Sequence, residues 1–397
     1  MTAPTQTTAA PTKTNGNQQA VAPPQPFRVG AYETSTPDLD VTLAQTAAAQ
    51  KLTTWKVSPN GWLAGIYCLF EMTVTTNVTN SVSFSKDNPF SVVQKVTFRD
   101  IGNREIFGPL TGYEWFATNK WGGYFGSSQG SDPRNPGGAF TAITGTGGTG
   151  GSFSFVLWIP LEIVHRDTLG EIENKSSSSA YTLEIYIDSQ ANTYNQVPSV
   201  MGNLRCRANL DGYTEPEATD ARGRAFSQQP PAPGTVQYWT SEIPSAFASG
   251  FQKYNIQNGI GYSIRNIVLI GYDNSNGTRA TVGLVGGNLP DPATVTFGKI
   301  QLIQLPTRMW LDRMSKWYEF NTATADTYAG PENGTVVLPF MRDFTTQPGD
   351  ELRTSYLVTK AGNVLQYSGS FGAATIGHFL INYIVPPGND SARLRAR

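Results

Sequence analysis

The sequence predicts an all-β protein made of two tandem β-sandwiches of the jelly-roll kind, and three observations carry the prediction. Short β-branched and aromatic runs, bounded by Gly, Pro, Ser or Asn, recur along the whole chain. The order strand, Trp-bearing helix, strand ending in proline occurs twice. The composition sets 40 Gly and 26 Pro beside 39% hydrophobic and 11% aromatic residues, which fits turns in a folded chain better than disorder.

The first 26 residues are rich in Thr, Ala, Gln and Pro and carry one charge, Lys13. They read as a flexible arm with no apolar signal region, so a cytoplasmic origin is expected. Leu43 to Lys51 (LAQTAAAQK) suits a short helix. Strands are then expected at Trp62 to Val78, at Ser91 to Asp100 with Val93, Val96 and Phe98 inward, and at Ser152 to Ile159 and Tyr181 to Asp188. Residues 122–151 form a Gly-rich loop and 214–233 a Pro-rich linker. Strands resume at Gly234 to Thr240, Tyr262 to Tyr272, Thr294 to Leu305, Gly334 to Phe340, Val364 to Phe371 and His378 to Val385. Two segments follow a helical period instead. Pro109 to Trp121 puts Leu110, Tyr113, Phe116 or Ala117, and Trp121 on one face, with proline in its first turn, and Thr307 to Thr322 aligns Trp310, Met314 and Trp317. Both are read as amphipathic helices plugging a sheet end.

The halves echo each other: VVQKVTF leads to one helix and then to a strand ending Trp158-Ile159-Pro160-Leu161, and KIQLIQL leads to the other and then to Val337-Leu338-Pro339-Phe340. Proline fits a strand end because it cannot donate to the ladder. The resulting division is an arm at 1–26, a first jelly roll at 27–233, a second at 234–390 and a basic tail at 391–397.

Most chemistry is disfavoured. Net charge is −1, from 29 basic and 30 acidic residues, against a molecule-wide nucleic-acid surface. Two cysteines, Cys68 and Cys206, exclude a disulfide framework, and two histidines, His165 and His378, leave little for metal or general-base work. Gly145 to Gly150 matches a dinucleotide glycine pattern but runs into a strand, not a helix. Gly126 to Gly130 matches a nucleophile elbow but is followed by turn residues. Asp273 to Gly277 hints at a calcium loop, yet Leu284 stands where a bidentate Glu is needed, and a hairpin turn explains it better. Glu162, Asp167, Glu171 and Glu173 read as a charged loop after a strand rather than as a glycosidase pair. No catalytic, cofactor or metal residue is assigned. Arg393, Arg395 and Arg397 alternate at the C-terminus and are candidates for contact with anionic lipid or nucleic acid; three basic residues near an anionic membrane contribute on the order of 3 kcal/mol.

Three stretches, Asn88 to Gly123, Phe155 to Gly170 (FVLWIPLEIVHRDTLG) and Tyr181 to Tyr194 (YTLEIYIDSQANTY), together resemble the double jelly-roll major capsid proteins of tectivirus-like, internal-membrane bacteriophages. The likeness covers about 65 residues of the first half; the second half is similar only in layout. The resemblance implies two eight-stranded jelly rolls per chain and a homotrimer of pseudo-hexagonal outline tiling an icosahedral shell over a membrane. It also implies vertex or penton and minor capsid proteins as partners, with no cofactor. A carbohydrate- or receptor-binding β-sandwich is the alternative, expected to show exposed Trp or Tyr platforms.

Overall fold

The computed structural model describes residues 25–26, 30–74, 87, 89–124, 140–141, 151–163, 170–217, 219, 221–223, 228–229, 236–256, 261–281, 287–306, 309–310, 313, 334–341 and 356–385. The first half holds eight main strands: β1 (Glu33–Ala44), β2 (Gln50–Lys56), β3 (Gly61–Val74), β4 (Val93–Arg99), β5 (Glu105–Leu110), β6 (Gly151–Pro160), β7 (Thr182–Ile187) and β8 (Asn203–Tyr213). The second half holds β9 (Val236–Glu242), β10 (Gly250–Ile256), β11 (Ser263–Asp273), β12 (Ala293–Phe297), β13 (Ile300–Leu305), β14 (Thr335–Pro339), β15 (Leu365–Phe371) and β16 (Thr375–Val385).

The sheets of the first half run β1-β8-β3-β6 and β2-β7-β4-β5; those of the second run β9-β16-β11-β14 and β10-β15-β12-β13. Each order in the second half is the first-half order moved on by eight strands. Two complete jelly rolls therefore stand side by side, and the fold is a double jelly roll. They share a sheet. β5 pairs in parallel with β9 through Phe107 opposite Trp239, so that β2-β7-β4-β5 runs on into β9-β16-β11-β14.

Local pattern explains most strands. β7 alternates, burying Leu183, Ile185 and Ile187. β11 is buried from Ser263 through Tyr272, on both faces, because a helix covers the face turned away from its own sandwich core. Phe90 stacks on Phe116 at 4.5 Å and Phe70 on Phe155 at 5.1 Å in the first roll; Phe247 stacks on Phe371 at 4.6 Å in the second. Val93, Val96 and Phe98 are buried as expected. Cys68 and Cys206 are free thiols in the first core, and burial pushes Cys206 up to about 12.

Several expectations need correction. Leu43 to Lys51 is not a helix: β1 runs to Ala44 and β2 starts at Gln50, leaving too few residues between them for a stable helix. Thr294 to Leu305 is two strands. Gly298, at φ +60°, opens a two-residue turn between Phe297 and Ile300. The first helix, α1 (Gly112–Trp121), begins three residues after Pro109, which still belongs to β5. It is also not amphipathic, since every residue except Lys120 is buried. In the second helical segment Met309, Trp310 and Arg313 are helical and Trp310 is buried; Met314 and Trp317 lie outside the described residues. The echo between halves also shifts by one strand. VVQKVTF maps largely to β4, the fourth strand, whereas KIQLIQL maps to β13, whose counterpart is β5.

Candidate functional site

The seam between the two jelly rolls holds several of the chain's buried polar side chains, among them Glu114, Gln237, Arg265, Asn266 and Asn382, and α1 is its centre. α1 packs on β4 and β6 of the first half and on β11 of the second. Helix ends expose N–H and C=O groups without partners, and both ends of α1 are completed partly by the other half of the chain.

At the N-terminus, Thr111 and Glu114 form a capping box: the Thr111 hydroxyl accepts from Glu114 N–H and the Glu114 carboxylate from Thr111 N–H, at 3.3 and 2.7 Å. The other carboxylate oxygen, Oε1, turns to the second half. It accepts the Ser241 hydroxyl of β9 at 2.8 Å and lies 2.7 Å from His378 Nδ1 of β16, which must carry its proton there. Burial works to raise the Glu114 carboxyl, but His378, the Thr111 N–H and the Ser241 hydroxyl outweigh it and hold the group below its ordinary range.

At the C-terminus, the Trp121 carbonyl accepts Asn266 Nδ2 at 2.6 Å and the Gly122 carbonyl accepts Arg265 Nη2 at 2.8 Å, both from β11. A guanidinium at this end also opposes the negative pole of the helix. Arg265 further donates to Asn382 Oδ1 at 3.3 Å. Between the two ends, Gln237 of β9 donates to the carbonyls of Pro160, Leu161 and Glu162 at 3.1–3.2 Å. Its own carbonyl accepts the Tyr124 hydroxyl and Asn382 Nδ2. Alongside, Arg279 donates to Asp87 at 2.8 Å and lies 3.3 Å from the Tyr113 ring centre.

A serine, a glutamate and a histidine thus meet beside a cleft of about 280 Å³ that includes Asp87, Tyr113, Tyr272 and His378. Their order is not that of a nucleophilic triad. Catalysis needs the hydroxyl to donate to the imidazole and the imidazole to the acid; here Ser241 and His378 both address one carboxylate oxygen. The arrangement supplies hydrogen bonds to a buried carboxylate and ties β9 and β16 to α1.

Sequence reasoning missed these seam residues. Their signal was a polar residue inside an apolar run: Arg265 and Asn266 before Ile267, and Asn382 between Ile381 and Tyr383. Arg393, Arg395, Arg397, His165, Asp167 and both glycine motifs lie outside the described residues. Glu162 and Glu171, expected on a solvated loop, are buried, while Glu173 is exposed beside Lys175. Asp273 to Gly277 is a turn, closed by Gly277 N–H on the Asp273 carbonyl. Among the described residues no group of three His, Cys, Asp or Glu is placed to hold a metal, and no helix is long and apolar enough to cross a membrane. A second cavity, of about 360 Å³, is lined by Glu33, Asp211 and a stacked pair, Tyr67 on Trp158.

The class this fold defines is the double jelly roll. No family model and no curated protein matches the chain. Solved structures do. The major capsid protein of STIV is similar over 91% of this chain and 98% of its own, with TM-score 0.58 and 11% identity. A chain in the atomic structure of Sulfolobus Turreted Icosahedral Virus is similar over 92% and 94%, with TM-score 0.60 and 12% identity. The major capsid protein of bacteriophage PM2 is similar over 89% and 97%, with TM-score 0.50 and 10% identity. At such identities the likeness is one of fold.

Proposed function

We propose that the chain is a structural coat protein, the major capsid protein of an icosahedral virion, with no catalytic role. The observation that carries this reading is the pair of complete jelly rolls joined through one sheet, an architecture that viral major capsid proteins match along about nine tenths of the chain. Two similar sandwiches per chain give three chains a nearly six-fold outline, so one building block tiles a closed surface. In this reading residues 27–233 and 234–390 are the two lobes of each chain, arranged as a pseudo-hexagonal homotrimer over an internal viral membrane. The arm at 1–26 orders on a neighbouring chain. Arg393, Arg395 and Arg397 of the tail at 391–397 contact anionic lipid or another anionic surface. Vertex and minor capsid proteins complete the virion, which assembles in the host cytoplasm.

Light scattering on the purified chain, with negative-stain images of the same sample, tests the reading. A species near three times 43.0 kDa with a hexagonal outline, or closed shells, is the expected result. A persistent monomer that binds sugars through an aromatic platform such as Tyr67 would overturn it.

A further inference from the structure

We infer that the outer edge of β13 and the outer edge of β1 are the two halves of one chain-to-chain joint, in which β13 of one copy lies parallel to β1 of the next. The inference rests on the coat reading and adds the surfaces through which copies meet. Its source is the joint already inside the chain. There the fifth strand of the first roll, β5, meets the first strand of the second roll, β9, in parallel. The fifth strand of the second roll is β13 and the first strand of the first roll is β1. Each lies at the edge of its sheet, and neither outer edge has a partner among the described residues.

Burial agrees with this assignment. On the joined edges Ile106, Phe107, Leu110 and Trp239 are at most 3% exposed. On the free edges the apolar residues are only half-buried: Leu39, Val41 and Leu43 on β1, Leu302, Ile303 and Leu305 on β13. At the end of β13, Ile300 is 64% exposed. β13 also carries no charge, and β1 carries the acids Glu33, Asp38 and Asp40 but no lysine, whereas the free edge strands β2 and β10 carry Lys51, Lys56 and Lys253, the usual guard against pairing. Pro37 in β1 has no N–H to give, which keeps any ladder there short, as the internal joint is one residue pair long. A joint between two different edges is heterologous, so repetition in a ring closes on itself without leaving an edge open.

Cysteines placed by Thr42→Cys on β1 and Gln304→Cys on β13 test this with a short bis-maleimide, since Cys68 and Cys206 are buried and silent. Both new positions are exposed. The double variant is expected to give covalent two-chain and three-chain products and nothing larger, while either single variant gives none. In parallel, Ile303→Lys is expected to reduce the native mass from three chains to one with an unchanged circular dichroism spectrum. A three-chain native mass without crosslinks in the double variant would overturn the joint and leave the coat reading standing. So would a two-chain product from Gln304→Cys alone, which would mean like edges meeting. A single-chain mass for the unaltered protein would instead remove the coat reading and the joint with it.

Discussion

β9 and β1 are each the first strand of a jelly roll, and each lies beside the last strand of its own roll, β16 or β8. β9 buries Gln237 and Trp239 to 1% exposure and contributes Ser241 to the seam, whereas no residue of β1 is fully buried. The polar contacts beside the two strands differ in the same way. Arg205 on β8 reaches Asp40 on β1 at 2.6 Å with both side chains about half exposed; Glu114 and His378 meet at 2.7 Å with the carboxylate 2% exposed. The strand order is identical, so what separates the two edges is the neighbour each one has. Buried polar groups accumulate where a partner satisfies them, and half-buried apolar groups remain where it is absent.

The comparison breaks most severely at Trp239. Trp239→Ala is expected to cost about 3–5 kcal/mol and to lower the urea midpoint sharply. Leu39→Ala, half-buried on β1, is expected to cost about 1 kcal/mol in the isolated chain, read from the same urea curves. Should the two cost the same, the two edges would not differ as described. Next in size is Arg265→Ala, expected to cost about 3 kcal/mol because it strips the Gly122 carbonyl and Asn382 of a charged donor inside the seam.

Glu114 sharpens the comparison through pH. Its carboxyl is held below the ordinary value of 4.5, so its ionised form contributes stability above that value. The contribution is lost as pH falls through 4.5 and then through the lower folded value. Glu114→Gln is expected to cost about 1–2 kcal/mol at pH 7 and to flatten the acid side of the stability curve; an unchanged acid slope would show that Glu114 is not the titrating group. The smallest effect belongs to Arg205→Ala, which is expected to leave the urea midpoint unchanged because an exposed pair is screened by solvent.

The strand-and-turn architecture was legible where large apolar residues mark one face. β7 announced itself by alternation and β11 by its apolar run from Ile267 to Tyr272, and proline marked the ends of β6 and β14. β8 was not recognised, although it buries Leu204, Cys206, Ala208 and Leu210 in strict alternation, because two of those inward residues are small and the outward ones are Asn and Arg. β1 was hidden by its polar content and by Pro37. The seam left only a faint trace, the polar residues Arg265, Asn266 and Asn382 inside apolar runs. Glu114 looks like a surface residue of an amphipathic helix until the second jelly roll covers that side, and its partners Ser241 and His378 lie 127 and 264 residues further along.

That separation has a consequence for how the chain is made. The groups that complete α1 are synthesised long after it: Ser241 and Arg265 follow in the second half, and His378 belongs to the last strand among the described residues. β16 is inserted between β9 and β11 and also supplies Asn382 to the hydrogen bonds with Arg265 and Gln237. While a nascent first half waits on the ribosome, Glu114 lacks its histidine and the Gly122 carbonyl its guanidinium. A chain that stops before Thr375 lacks the strand that fills the place between β9 and β11 and the histidine that meets Glu114, so both its second sandwich and its seam are left incomplete.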